Sequence, residues 1–363
     1  GFMGDMMGPA VTTRQVEKYV KMLNLTADQK AAIKVLHDGY AEEARASGDK
    51  ARDEMQKLRE EMRESEDREG LMQKMQTGMR KVREDRKKQD EAFTSDVKAI
   101  LTPEQVEKWP AVERMQRREA GVRRGFISGE RVDLFALVSE NSVSAEGQKT
   151  AAPVLSEYEL EFDREIIKRN EWQEKQMAKM GEMRQEGDFE GIQKLIEEGR
   201  LLDIKVRDVN RKYAKQIESA LPEADKSGFS MAFKRASFPD VYRPTQANEA
   251  LDAAAKLKDL TPEQVEGLNA LRASHEKTVN PMNDRLAAAI EEGEMNFNLA
   301  NMMGGRGRDD DSPAGKVRRE RRDLDRATVE SLKKILTPAQ AEKLPKPEGG
   351  RGERRQGRDL QEN

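Results

Sequence analysis

The feature that most constrains this chain is a pentad, Leu-Thr-x-x-Gln, that occurs four times at matched spacing. The copies are Leu25, Thr26 and Gln29; Leu101, Thr102 and Gln105; Leu260, Thr261 and Gln264; and Leu336, Thr337 and Gln340. Leu25 and Leu101 lie 76 residues apart, and so do Leu260 and Leu336. A fixed long-range period marks a repeat architecture before any single element is read. A more divergent third copy occupies the middle, where Val143-Ser144-Ala145-Glu146 opens a unit and Leu221-Pro222-Glu223 closes it.

The pentad has a local physical meaning. Thr is a good N-cap, and Gln three residues later completes a reciprocal capping box. Pro103, Pro262 and Pro338 follow at the first helical position, where a missing N–H costs nothing. The leading Leu stands where a hydrophobic staple begins. Val106 and Val265 are placed to close it, whereas Lys30 and Ala341 are poor partners.

Between paired pentads the apolar residues recur at helical spacing. In the first unit Met55, Leu58 and Met62 lead to a turn near Glu69-Gly70. Leu71, Met75, Met79 and Val82 continue the stripe, which predicts one helix over 71–100, about 45 Å long. The second unit turns at Gln185 to Gly191, between a Met177, Met180, Met183 cluster and a run from Ile192 to Ile217. The third expands at its tip, Asn301 to Gly315, and returns through Val317, Leu324, Val329 and Leu332. No segment alternates like a strand. The expected fold is all-α: three tandem helical hairpins forming an elongated body. The expected boundaries are a Gly/Met-rich segment 1–11, a first unit 12–117, a connector 118–130, a degenerate second unit 131–234, a connector 235–246, a third unit 247–345 and a Gly/Arg-rich tail 346–363.

Composition narrows the function. Charged residues make up 37% and apolar ones 36%, far from the ~25% and ~45–50% of ordinary globular chains. Long solvated helices with narrow apolar stripes fit this better than one large dry core. Cysteine is absent and only His37 and His275 occur, so thiolate chemistry, His-based catalysis and a multi-His metal site are not expected. The net charge of −3 gives no general pull toward nucleic acid. No apolar run is long enough to span a membrane. Gly315-Lys316 lacks the remainder of a phosphate-binding loop. No catalytic residue, cofactor or metal is expected.

The paired pentads flanking charged, Met-rich helical hairpins resemble the Spy/CpxP family. That resemblance implies export to the periplasm and an all-α, cradle-shaped fold that is usually a dimer of single units. It also implies ATP-independent chaperoning or damping of an envelope-stress sensor kinase; related proteins sense metals with a similar hairpin. The opening Gly1-Phe2-Met3 is compatible with a removed export signal. The expectation is an exported, soluble binder of unfolded clients or other proteins. A structural or assembly subunit of an envelope complex or filament, built by self-assembly, is the alternative. Candidate client-binding residues are Met55, Met62, Met72, Met75, Met79, Met177, Met180 and Met183, because methionine suits adaptable surfaces. The competing reading is that these methionines fill thin helical cores. Met3, Met6 and Met7 as Cu(I) ligands and Asp309-Asp310-Asp311 as a Ca²⁺ attractor are weaker alternatives. The basic clusters Arg117-Arg118, Arg123-Arg124 and Lys316 to Arg322 have acidic neighbours and read as solvated helix faces.

Overall fold

A computed structural model describes residues 9–65, 67–123, 125–139, 143–296 and 311–345. Among these residues the fold is all-α, with no strand. The first stretch holds α1 (Thr13–Met22), α2 (Ala27–Glu64), α3 (Arg68–Ala99), α4 (Pro103–Glu107) and α5 (Trp109–Arg123). The middle holds α6 (Leu134–Ser139), α7 (Ala145–Glu186), α8 (Phe189–Ala220), α9 (Glu223–Ser237) and α10 (Pro239–Tyr242). The last stretch holds α11 (Gln246–Ala255), α12 (Pro262–Met295), α13 (Pro313–Ile335) and α14 (Pro338–Ala341). Three long hairpins result: α2 with α3, α7 with α8, and α12 with α13.

All four pentads start helices as their sequence requires. Thr26, Thr102, Thr261 and Thr337 are extended N-caps, each in a complete capping box with its glutamine. Two further capping boxes lie outside the pentads. Thr12 with Gln15 starts α1, and Thr245 with Asn248 starts α11. Each end hairpin is thus preceded by a short capped helix.

The hairpin tips share a second device. Asp67, Asp188 and Ser312 cap the returning arms by accepting the backbone N–H of Gly70, Gly191 and Gly315, each at 2.9 Å. At Gly70 and Gly191 a Cβ would collide with the capping aspartate, so glycine is needed there for close approach. The returning arm α3 therefore starts at Arg68, before the expected turn at Glu69-Gly70, because Asp67 caps it there. In the second hairpin Gly187 ends α7 in the left-handed region, the usual role of a C-terminal glycine.

Apolar residues gather at the pentad ends of the hairpins. In the first, Tyr19, Leu23, Leu25, Ile33, Tyr40, Phe93, Val97, Trp109 and Val112 form one cluster. Tyr40 stacks on Phe93 at 4.7 Å, and Tyr19 meets Trp109 edge-on at 5.7 Å. Such pairs add about 0.5–1.5 kcal/mol each beyond burial. The second hairpin packs Tyr158, Phe162, Ile166, Val206, Tyr213 and Ile217. The third relies on small aliphatics, Ala250, Leu251, Ala254, Leu268, Leu332 and Leu336.

Several expectations need correction. Val106 and Val265 remain exposed and lie outside these clusters, so they close no staple, whereas Ala341 packs on the third cluster. The expected connector 118–130 is helical as far as Arg123, because α5 continues through it. The segment 235–246 contains the end of α9 and all of α10. The chain divides into two compact units, one ending at Arg117 and one starting at Arg118, and the second and third hairpins share the latter. Polar ties explain that sharing: Lys234 and Tyr242 both bind Asp284, Arg211 pairs with Glu291, and Arg321 donates to the Val241 carbonyl at 2.8 Å.

Candidate functional site

The pentad glutamines do more than cap helices. In the first hairpin the Gln29 side-chain amide donates to the Ile100 carbonyl at 2.9 Å and to Gln105 Oε1 at 2.7 Å. Gln105 returns the bond, donating to the Leu23 carbonyl at 3.2 Å and to Gln29 Oε1 at 3.0 Å. The third hairpin repeats this. Gln264 donates to the Ile335 carbonyl and to Gln340 Oε1 at 3.0 and 2.9 Å. Gln340 donates to the Asp259 carbonyl at 2.8 Å and to Gln264 Oε1 at 3.4 Å. Each glutamine accepts from the Thr backbone N–H with Oε1 and uses Nε2 to lock the opposite pentad. A glutamine amide offers both functions, whereas an ionised glutamate only accepts, which accounts for glutamine rather than glutamate at the position.

The middle hairpin has a substitute. Gly147 and Asp225 hold the two glutamine positions of its worn pentads, and Ser144 Oγ donates to Asp225 Oδ2 at 2.6 Å. A Cβ on Gly147 would strike Asp225 and Val143. The latch survives as one hydroxyl–carboxylate bond across the same gap.

A second tie recurs in all three hairpins. Tyr40, Tyr158 and His275 each stand fifteen residues after the leading residue of the opening pentad. Asp90, Asn210 and Asp325 each stand eleven residues before the leading Leu of the closing pentad. Tyr40 Oη donates to Asp90 at 2.6 Å and Tyr158 Oη to Asn210 at 2.9 Å. His275 Nε2 stands 3.8 Å from Asp325. The same pairs hold the segment that leads into each unit. Tyr40 Oη accepts the N–H of Ala10 and Val11, and His37 donates to the Val11 carbonyl. Asn210 donates to the carbonyls of Gly129 and Glu130. Asp325 accepts from Thr245 Oγ1.

Burial shapes the protonation of these ties. Burial first, and then the bond to Asp90, push the Tyr40 phenol up to about 12. Burial also raises the carboxyls of Asp90 and Asp325. It lowers His275, against the pull of Asp325. His275 Nδ1 lies 3.0 Å from Thr328 Oγ1, while its buried Nε2 has no hydrogen-bond partner.

Away from the pentads the first hairpin thins to two helices, whereas in the third Val241 of α10 forms a further cluster with Leu286, Ala314 and Val317. Met55 is buried, Met62, Met75, Met79, Met180 and Met183 are half-buried, and Met72 is exposed at 43%. The stripe therefore fills the seam of each arm while keeping part of its surface in solvent. Core filling accounts for the buried part of these side chains. The Met177 side chain, Met3, Met6, Met7, Asp309, Asp310, Arg124 and the tail 346–363 lie outside the described residues. Two basic residues read as solvated prove buried. Arg118 pairs with Asp133 and Glu159 and caps the Phe135 ring, and Arg321 holds Val241. Among the described residues no group of three or more His, Asp or Glu side chains is placed to hold a metal ion. No helix there is long and apolar enough to cross a membrane. Two surface depressions, lined by Val154, Lys215 and Ser219 and by Met22, Lys108 and Pro110, are open to solvent.

Residues 4–109 match a family model described as a domain of unknown function, DUF4890. The match covers the first hairpin and its latch, and leaves out the second and third. No curated protein and no solved structure matches the chain.

Proposed function

We propose that the chain is a non-catalytic, ATP-independent binder of unfolded polypeptides, exported from the cytoplasm and acting in the cell envelope. The observation that carries this reading is the outer part of the first hairpin. There Met62, Met75 and Met79 are half-buried and Met72 is exposed on a two-helix arm rich in both signs of charge. Flexible, polarizable side chains on such an arm suit weak contact with many apolar sequences. The mixed charge steers encounter without fixing a partner. The latches suit the role as well, because they hold the arm bases closed without a thick core. The pentad resemblance to the Spy/CpxP family supports the same reading.

The test is aggregation of a chemically unfolded client enzyme, diluted into buffer without nucleotide. The chain is expected to slow light scattering at near-stoichiometric ratio. Replacing Met62, Met72, Met75 and Met79 by Gln should weaken that effect severalfold, and replacing them by Leu should retain most of it. No slowing at fivefold excess sinks the reading. Growth of the protein alone into large particles, with no effect on the client, favours an assembly role instead.

A further inference from the structure

The third hairpin closes its arms with a tie of a different chemical kind from the other two. Tyr40 and Tyr158 reach Asp90 and Asn210 through a hydroxyl, and neither hydroxyl gives up its proton near neutral pH. His275 stands in the same place, and imidazole is the side chain that titrates in that range. The residue is 2% exposed. Its Nδ1 lies 3.0 Å from Thr328 Oγ1, and its Nε2 lies 3.8 Å from Asp325 Oδ1, too far for a hydrogen bond.

That oxygen is already in use. Asp325 Oδ1 accepts from Thr245 Oγ1 at 2.8 Å, and Thr245 is the N-cap of α11. The Thr245 hydroxyl has one proton and two acceptors within reach, because Asn248 Oδ1 also lies 3.0 Å away. A neutral ring leaves this arrangement undisturbed. A ring with a second proton carries a full charge in a site closed to water, and it needs an anion in direct contact. Asp325 is the carboxylate positioned to supply it. We propose that His275 and Asp325 form an acid-triggered release for α11: the protonated ring draws Asp325 Oδ1 onto Nε2, the Thr245 hydroxyl turns to Asn248, and the polar tie from α11 to α13 is lost.

The charges around the ring set the direction. Burial first lowers His275, and Arg321 of α13 adds to that, while Asp325 and Glu276 of its own helix oppose it. Arg321 is engaged with the Val241 carbonyl, and its Nε is buried without a partner. Between α11 and α12 Asp252 takes Arg272 at 2.8 Å, nearer the surface. Linkage gives the sign. The folded state favours the neutral ring, so the tie is complete above the unfolded value near ~6.5 and is lost as pH falls through the lower folded value.

What the tie covers is apolar. Ala250, Leu251 and Ala254 of α11 share a cluster with Leu268 and Leu332 of the two arms. Loosening the start of α11 therefore exposes apolar surface at the pentad end of the third hairpin in acid. The second hairpin, tied by Tyr158 and Asn210, has no counterpart of the switch. This inference stands independently of the client-binding proposal.

The test is amide hydrogen exchange of Glu249, Ala250 and Leu251 in the full chain, corrected for the chemical rate, beside an NMR titration of the His275 ring. The Glu249 N–H makes the bond to the Thr245 carbonyl that opens α11. Protection of these amides is expected to fall by about tenfold between about pH 7.5 and about pH 5, with a midpoint matching that of the ring, while Tyr213 and Ile217 of the second hairpin keep theirs. His275→Gln, which keeps a polar side chain but cannot titrate, should flatten the profile. Should that variant fail to fold, His275→Tyr serves, since tyrosine fills this position in the other two hairpins. Asp325→Asn should move both midpoints to lower pH together. A flat profile in the parent protein overturns the proposal. So does an α11 midpoint that departs from the ring's, an equal fall at Tyr213 and Ile217, or an unchanged pH response in the His275 variant.

Discussion

Replacing Gln105 by glutamate separates the two tasks of a pentad glutamine. Glutamate serves as well as glutamine at the third position of a capping box, so the bond from the Thr102 N–H to the side chain persists. The amide donors do not. Gln105 Nε2 serves the Leu23 carbonyl and Gln29 Oε1, and a carboxylate sets acceptor against acceptor at both. Two lost hydrogen bonds at about 0.5–1.5 kcal/mol each, plus some repulsion between unmatched acceptors, come to about 2–3 kcal/mol for Gln105→Glu at neutral pH. The cost should shrink below about pH 4, where a protonated glutamate regains a donor. Urea unfolding followed by Trp109 fluorescence reads this, since Trp109 sits 2% exposed in the first cluster. A Trp172→Phe background removes the only other tryptophan. A cycle of Gln29→Ala and Gln105→Ala should show coupling of about 1 kcal/mol. A Gln105→Glu cost below about 0.5 kcal/mol at neutral pH would refute the latch as a stabilising element.

Three further outcomes are expected. Tyr40→Phe should cost about 1–3 kcal/mol in the same assay, because it leaves the half-buried Asp90 and the Ala10 and Val11 amides without their partner. Tyr158→Phe should cost less, since it strands a neutral amide. The His275 imidazole, followed by NMR in a chain with only two histidines, should titrate below 6.5, and Asp325→Asn should lower it further because Asp325 pulls it upward; a rise in that variant contradicts the assigned geometry. Folding favours the neutral ring, so the contribution of His275 is present above its unfolded value and is lost as pH falls below it. Gly181→Ala, where a Cβ meets nothing within 4 Å, should stabilise α7 by about 0.5–1 kcal/mol, whereas Gly191→Ala should destabilise the tip by disturbing the Asp188 cap; thermal melts of both variants check the opposite signs.

Much of this architecture could be read directly from the chain. The capped helix starts, the long arms and the spacing of the units are local patterns, set by propensity, capping and periodicity within a few residues. The Tyr158–Asn210 bond joins the arms of the divergent middle copy at the same offsets as the Tyr40–Asp90 bond joins those of the first. What only the tertiary structure decided lies across the hairpins. The glutamine latches join residues 76 positions apart. The Asp90, Asn210 and Asp325 partners sit among many similar acids and amides, with nothing nearby to single them out. Arg118, Arg169 and Arg321 look like ordinary surface arginines until a folded neighbour removes their water. The reason is physical: a cap is closed by its own backbone, whereas a buried polar tie exists only once a distant segment has excluded solvent and supplied the complementary group.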